Sequence, residues 1–234
     1  MKDIVFGGEE EQERPEGKFY LFLDQVTDPQ NFGSILRSAF FIGVDGIIVN
    51  KMNACGLTPV VSKVSSGALE FIPLYTVKFV SHFFEDAKKD PLNFKIISTA
   101  LSDMGDDIEK THELGLKPTR DEEFSGSEDD IVEFGDLDAE LRKPEPELDA
   151  KYKSLTPLDE LKIPGGKKQN IILVLGSEGE GVSRAIAKAA DHQVVIPPQL
   201  RMDQLGKFPF DTIDSLNVGV TAAMVLHHIR KMQV

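Results

Sequence analysis

From residue 18 onward, apolar and polar positions alternate in short blocks of two kinds. Residues 19–24 (FYLFLD), 46–50 (GIIVN), 94–100 (FKIISTA) and 170–175 (NIILVL) are nearly continuous apolar runs of strand length. Residues 71–77 and 193–196 read as two further strands. Between them the apolar period lengthens to that of a helix. Asp28 and Pro29 open one helix as N-cap and first-turn proline, and Gly43 closes it. Residues 58–71 predict a short helix and turn, and residues 80–89, 181–190 and 216–231 predict further helices, with Asp214 or Ser215 as the cap of the last. Strands alternating with helices imply an α/β fold with a mostly parallel sheet.

Two stretches break this pattern. Residues 1–17 are Glu-rich and read as a flexible acidic tail, and residues 102–160 lose periodicity altogether. The charge count changes the picture of the second. The chain of 234 residues has a net charge of −13, and residues 101–160 alone hold 20 Asp/Glu against 7 Lys/Arg. The remainder holds 19 of each sign, so it can still present a basic face to a polyanion. The expected organisation is a domain over 18–234 interrupted by a disordered or loosely packed acidic insertion at 102–160. A single cysteine, Cys55, excludes an internal disulfide framework and any cysteine-based zinc cluster. No apolar run approaches the roughly 18 residues that span a bilayer, so no membrane partner is expected. No segment reads as a secretory signal.

Three segments carry candidate chemistry. Placed 100° apart, Phe32, Ile35, Leu36, Ala39 and Phe40 share one sector of the first helix, with Asn31, Ser34, Arg37 and Ser38 opposite. An ordinary amphipathic helix would show the same split. A polar face of one Arg among hydroxyls and amides also suits a phosphate or ribose edge. The second segment, LVLGSEGEGVSRAI at 173–186, runs from a buried strand through Gly176, Gly179 and Gly181 into a helix. Such a turn lets a ligand approach the backbone, but its spacing matches neither GxxxxGK[ST] nor GxGxxG. The third joins VVIPP at 194–198 to DSLNVGVTAAMVLHHIR at 214–230, whose Gly219, Ala222 and Ala223 make one helix side small. His227 and His228 are adjacent and point apart, so no metal site is expected from them.

Together the three segments resemble the motifs of the SpoU/TrmH branch of the SPOUT methyltransferases. DQVTDPQNFGSILRSAFFIGVDGIIV, LVLGSEGEGVSRAI and VVIPP…DSLNVGVTAAMVL occur in family order, and Ser65-Ser66-Gly67-Ala68 matches a minor SxGA element. The resemblance covers about 18–100 and 168–234. It implies a C-terminal trefoil knot, an exception to the rule against knotted chains. It implies transfer of a methyl group from S-adenosyl-L-methionine to a ribose 2′-OH of RNA, without a metal. The implied cofactor-binding residues are Thr99, Ala100, Leu101, Gly176, Ser177, Gly179, Ile196, Pro197 and Leu216. The implied catalytic residues are Arg37, Asn31, Glu178, Ser215 and Asn217.

Arg37 is either the base that relieves the hydroxyl of its proton or a cation that holds phosphate and stabilises the alkoxide. Deprotonating a guanidinium at neutral pH is costly, and the sequence leaves both roles open. The resemblance further implies a homodimer with each active site bordering both subunits. The closest match is to the ribose methyltransferases of mitochondrial large-subunit rRNA, which suggests the mitochondrial matrix. A tRNA ribose methyltransferase and an inactive RNA-binding or ribosome-assembly factor are the alternatives. The family often carries an N-terminal RNA-binding domain, whereas here motif one begins almost at once.

Overall fold

The computed structural model describes residues 2–3, 16–100, 155–177, 181–197 and 215–234. Its strands are β1 (Lys2–Asp3), β2 (Phe19–Leu23), β3 (Gly46–Asn50), β4 (Leu74–Val77), β5 (Lys95–Thr99), β6 (Thr156–Pro157), β7 (Ile171–Leu175) and β8 (His192–Val195). They form one sheet in the order β1-β4-β3-β2-β7-β5-β8-β6. Every pairing between them is parallel. The helices are α1 (Pro29–Ile42), α2 (Pro59–Val64), α3 (Val80–Lys88), α4 (Arg184–Ala189) and α5 (Val218–Gln233).

The continuous apolar runs become the central strands because both sheet faces are covered. Leu21, Ile47 and Leu173 pack against Phe32, Leu36 and Ala222, under α1 and α5. Their chain neighbours Phe22, Ile48 and Val174 point the other way, against Phe83 and Phe84 of α3 and Ile186 of α4. The capping residues of α1 act as their types predict. The Asp28 side chain accepts from Asn31 N, and Gly43 takes the left-handed conformation at φ 86°.

α1 and α5 lie side by side and run in the same direction. Asn217 at the start of α5 bonds Asn31 at the start of α1, and Arg230 near its end donates to the Gly43 carbonyl at 2.8 Å. Their N-termini therefore meet above the carboxyl ends of the strands. The chain steps outward from β2 to β3 to β4, and β5 then forms on the other side of the sheet. β7 inserts between β2 and β5, and β8 pairs on the far side of β5. This reversal of winding places a crevice at the carboxyl ends of β7, β5 and β8, where ligands of open α/β sheets bind.

Four details depart from the sequence reading. Phe40, expected in the core, is 49% exposed and lies 5.9 Å from the ring of Phe71. Gly33 is buried in its place, because a side chain there would press on Val64 of α2. The acidic segment does not extend to 160 as a loose insertion. Thr156–Pro157 adds to the sheet edge, and Leu158 and Leu161 are buried in the core. Asn217, not Asp214 or Ser215, caps α5, its side chain accepting from Gly219 N at 2.9 Å. The rest of the acidic segment, most of the N-terminal tail and residues 198–214 lie outside the described residues.

Candidate active site

The crevice is an open cleft of about 570 Å³, counting its mouth. Three chain segments meet in it. Thr99 and Ala100 follow β5, Gly176 and Ser177 follow β7, and Val194, Val195 and Ile196 end β8. The start of α5 closes one side with Ser215, Leu216, Val218, Thr221 and Val225. Apolar walls interrupted by hydroxyls and main-chain groups suit a ligand with a flat apolar part and several polar atoms.

Of the residues expected to bind a cofactor, the structure brings together Thr99, Ala100, Gly176, Ser177, Ile196 and Leu216. Ser215, expected as catalytic, lines the same cleft. Pro197 is half-buried just beyond that lining. Leu101, Glu178 and Gly179 lie outside the described residues. Asn31 and Asn217, 186 residues apart in the chain, meet at the mouth through a 2.9 Å hydrogen bond from Asn217 Nδ2 to Asn31 Oδ1. That contact joins the first motif to the third.

Arg37 does not line the cleft. It lies six residues beyond Asn31, about 9 Å down the axis of α1. It is exposed and makes no hydrogen bond or ion pair among the described residues. The Ser65–Ala68 element is also away from the cleft. It is a tight turn between α2 and a 3-10 turn, with Ser66 at φ 53° and Gly67 at φ 86°.

The role of Gly176 differs from a simple allowance for a ligand. A Cβ there would overlap the main chain of Gly181 and Val182, well inside the 3.0 Å that real Cβ atoms essentially never breach. Ser177 N donates to Gly181 O and Gly181 N donates to Ser177 O, each at 3.0 Å. This pair of bonds pinches the loop shut, and only a glycine at 176 admits the opposing strand. Asp24 anchors the same loop. Its buried carboxylate, at the end of β2, accepts from Ser183 N at 2.8 Å. The sequence reading missed Asp24, Thr221 and Val225. An Asp ending an apolar run was the available signal for the first.

The small side of α5 is used within the chain. Gly219 sits against Ser34 of α1, where a Cβ would come within 3.1 Å of Ser34 Oγ, and Ala222 is fully buried. The small side read from the sequence thus serves close packing of α5 on α1. The outward side of α5 instead shows Val220 and Met224, 49% and 44% exposed, and that of α1 shows Phe41, 89% exposed. Cys55 is buried beside α1, and burial first, then the Asp28 carboxylate, pushes its thiol pKa up. No group of three potential metal ligands occurs among the described residues.

The SpoU rRNA Methylase family model matches residues 18–227, nearly the whole chain. The chain belongs to this family. Among SpoU relatives, the mitochondrial rRNA methyltransferase 1 of Saccharomyces cerevisiae is 31% identical over 89% of this chain and 40% of its own length. That of Homo sapiens is 28% identical over 91% of this chain and 45% of its own length. The chain thus spans less than half the length of these two relatives. In fold it is similar to the AdoMet-bound rRNA methyltransferase of Sinorhizobium meliloti. The TM-score is 0.58 at 17% identity, over 94% of this chain and 58% of that one.

Proposed function

We propose that this chain is the catalytic unit of an S-adenosyl-L-methionine-dependent RNA ribose 2′-O-methyltransferase, acting on mitochondrial large-subunit rRNA. The observation that carries the reading is the cleft itself. In a member of the SpoU family, the segments after β5 and β7 and the start of α5 converge on one cavity, and the Asn31–Asn217 bond brings motif one to its mouth. The names of the yeast and human relatives support rRNA and the mitochondrion. Among the described residues, no helix is long and apolar enough to cross a membrane.

The lining fits the cofactor. Val194, Val218 and Val225 offer an apolar wall, and Thr99, Ser177, Ser215 and Thr221 set hydroxyls in the same lining. S-adenosyl-L-methionine, when bound, supplies an electrophilic methyl. The two Ser177–Gly181 hydrogen bonds fix these two residues against each other before any ligand arrives, so less ordering is left to binding. Asn31 and Asn217 orient the ribose, and Glu178 and Ser215 complete its hydrogen bonding. Arg37, a planar cation facing solvent, grips the adjacent phosphate and stabilises the alkoxide.

The position of Arg37 outside the cleft of its own chain supports a homodimer in which it completes the partner's site. Val220, Met224 and Phe41 supply exposed apolar area on the same helical layer. The C-terminal segment is proposed to close as a trefoil knot. The strand order, with β7 between β2 and β5, and the family membership support it.

The test is methyl transfer from labelled S-adenosyl-L-methionine to large-subunit rRNA transcripts, with the product mapped as a 2′-O-methyl nucleotide. Label on a base, or none on RNA from a protein that binds the cofactor, would refute the reading.

A further inference from the structure

A second surface of distinct chemistry lies at the same end of the sheet. Because all strands run parallel, the residues after β3 and β4 emerge on the side where the cleft opens. Lys78 and Phe79 follow β4, and Lys51 follows β3, its N–H bonded to Val77 O at 2.9 Å. These two lysines therefore leave adjacent strands as neighbours. Phe79, the residue just before α3, is 64% exposed. The Lys78 ammonium sits 5.3 Å from its ring centroid, and the His82 ring lies 6.2 Å away at 53°. The first carboxylates along α3 are Glu85 and Asp86, six and seven residues beyond Phe79, and Asp86 is paired with Lys89 at 2.8 Å.

We propose that Phe79, with Lys78 against its ring and Lys51 leaving the adjacent strand, is a stacking platform for an unpaired base of the RNA substrate. An exposed aromatic ring with basic side chains nearby is the combination with which proteins hold single strands, the ring taking a base and the cations its phosphates. A partner protein would favour a broader apolar patch without two adjacent ammonium groups. Spacing sets where the base lies. β4 stands three strands from β7 and four from β5, roughly 14–19 Å at about 4.8 Å per strand. A stacked strand rises about 3.4 Å per nucleotide, so the base on Phe79 is about four to six nucleotides from the ribose in the cleft. The platform thus selects substrates unpaired on that side of the methylated nucleotide. This inference rests on the RNA reading above.

The test uses the full chain and two labelled RNAs of about 15 nucleotides, one unpaired and one a closed hairpin, with binding followed by fluorescence anisotropy. Phe79→Ala should weaken the unpaired RNA by about 5- to 150-fold, Phe79→Tyr should stay within about threefold, and the hairpin should change little. Lys78→Ala should weaken binding regardless of sequence and lower the salt dependence by about one ion. Calorimetry with S-adenosyl-L-methionine should be unchanged in Phe79→Ala. If Phe79→Ala binds the unpaired RNA as tightly as the wild type, the platform is wrong and the methyltransferase reading stands. A change in oligomeric mass with RNA affinity intact would make Phe79 a protein contact and overturn the platform as well. A wild type that binds the cofactor but neither RNA overturns both readings.

Discussion

Replacing Gly176 by Ala isolates the pinched loop from the rest of the cleft. The new methyl would overlap the Gly181 carbonyl and the Val182 nitrogen, both main-chain atoms that cannot swing aside. The cheapest relief is to part the two segments and break both Ser177–Gly181 hydrogen bonds. Each such bond contributes about 0.5–1.5 kcal/mol net, so opening costs about 1–3 kcal/mol. If S-adenosyl-L-methionine binds only the closed loop, its affinity falls by the closed fraction, about 5- to 150-fold. Guanidinium denaturation should show a matching loss of stability, and calorimetry should show the loss of affinity. Gly67→Ala is the control. Nothing lies within 4 Å of its Cβ, but φ of 86° strains a side chain by about 1–2 kcal/mol, far from the cleft. It should lose similar stability with cofactor affinity intact. A folded Gly176→Ala variant that binds the cofactor within about twofold of wild type would refute the reasoning.

Other outcomes follow from neighbouring geometry. Asn217→Ala removes the cap of α5 and should cost about 1 kcal/mol in urea denaturation, whereas Asn31→Ala keeps that cap and should cost less. Both should depress methyl transfer, and full activity in either would exclude it from the site. Arg37→Ala should abolish turnover while leaving cofactor affinity unchanged. Mixed with a cofactor-binding variant such as Gly176→Val, it should regain part of the activity through hybrid dimers, and no regain would place Arg37 in its own subunit's site. The raised thiol pKa of Cys55 means that the native chain keeps its proton where the unfolded chain releases it. Its contribution to stability is therefore complete below the ordinary thiol value and declines as pH rises from there toward the folded value. Comparing the wild type with Cys55→Ala in denaturation across alkaline pH would reveal it, and parallel curves would contradict it.

The elements that could be read from the sequence obey local rules. Asp28, Pro29 and Gly43 bound α1 by interactions with residues three or four away, and the apolar runs became buried strands because their composition suits no other environment. The three motifs likewise disclosed the family and the segments that build the cleft. Tertiary structure alone decided how residues distant in the chain share space. Gly176 and Ala222 both read as room for something else. The first instead admits the main chain of Gly181, and the second lies fully buried in the core shared with α1. Leu158 and Leu161 sat in or beside a stretch whose charge read as unstructured, yet the core takes both. Arg37 occupies a helix face that the period predicts as polar, but its distance from the cleft depends on how α1 lies against α5. Local propensity acts over one turn of helix or one strand. The Asn31–Asn217 bond, the order of the strands and the partner of each glycine depend on packing between segments far apart in the chain, and no local pattern encodes them.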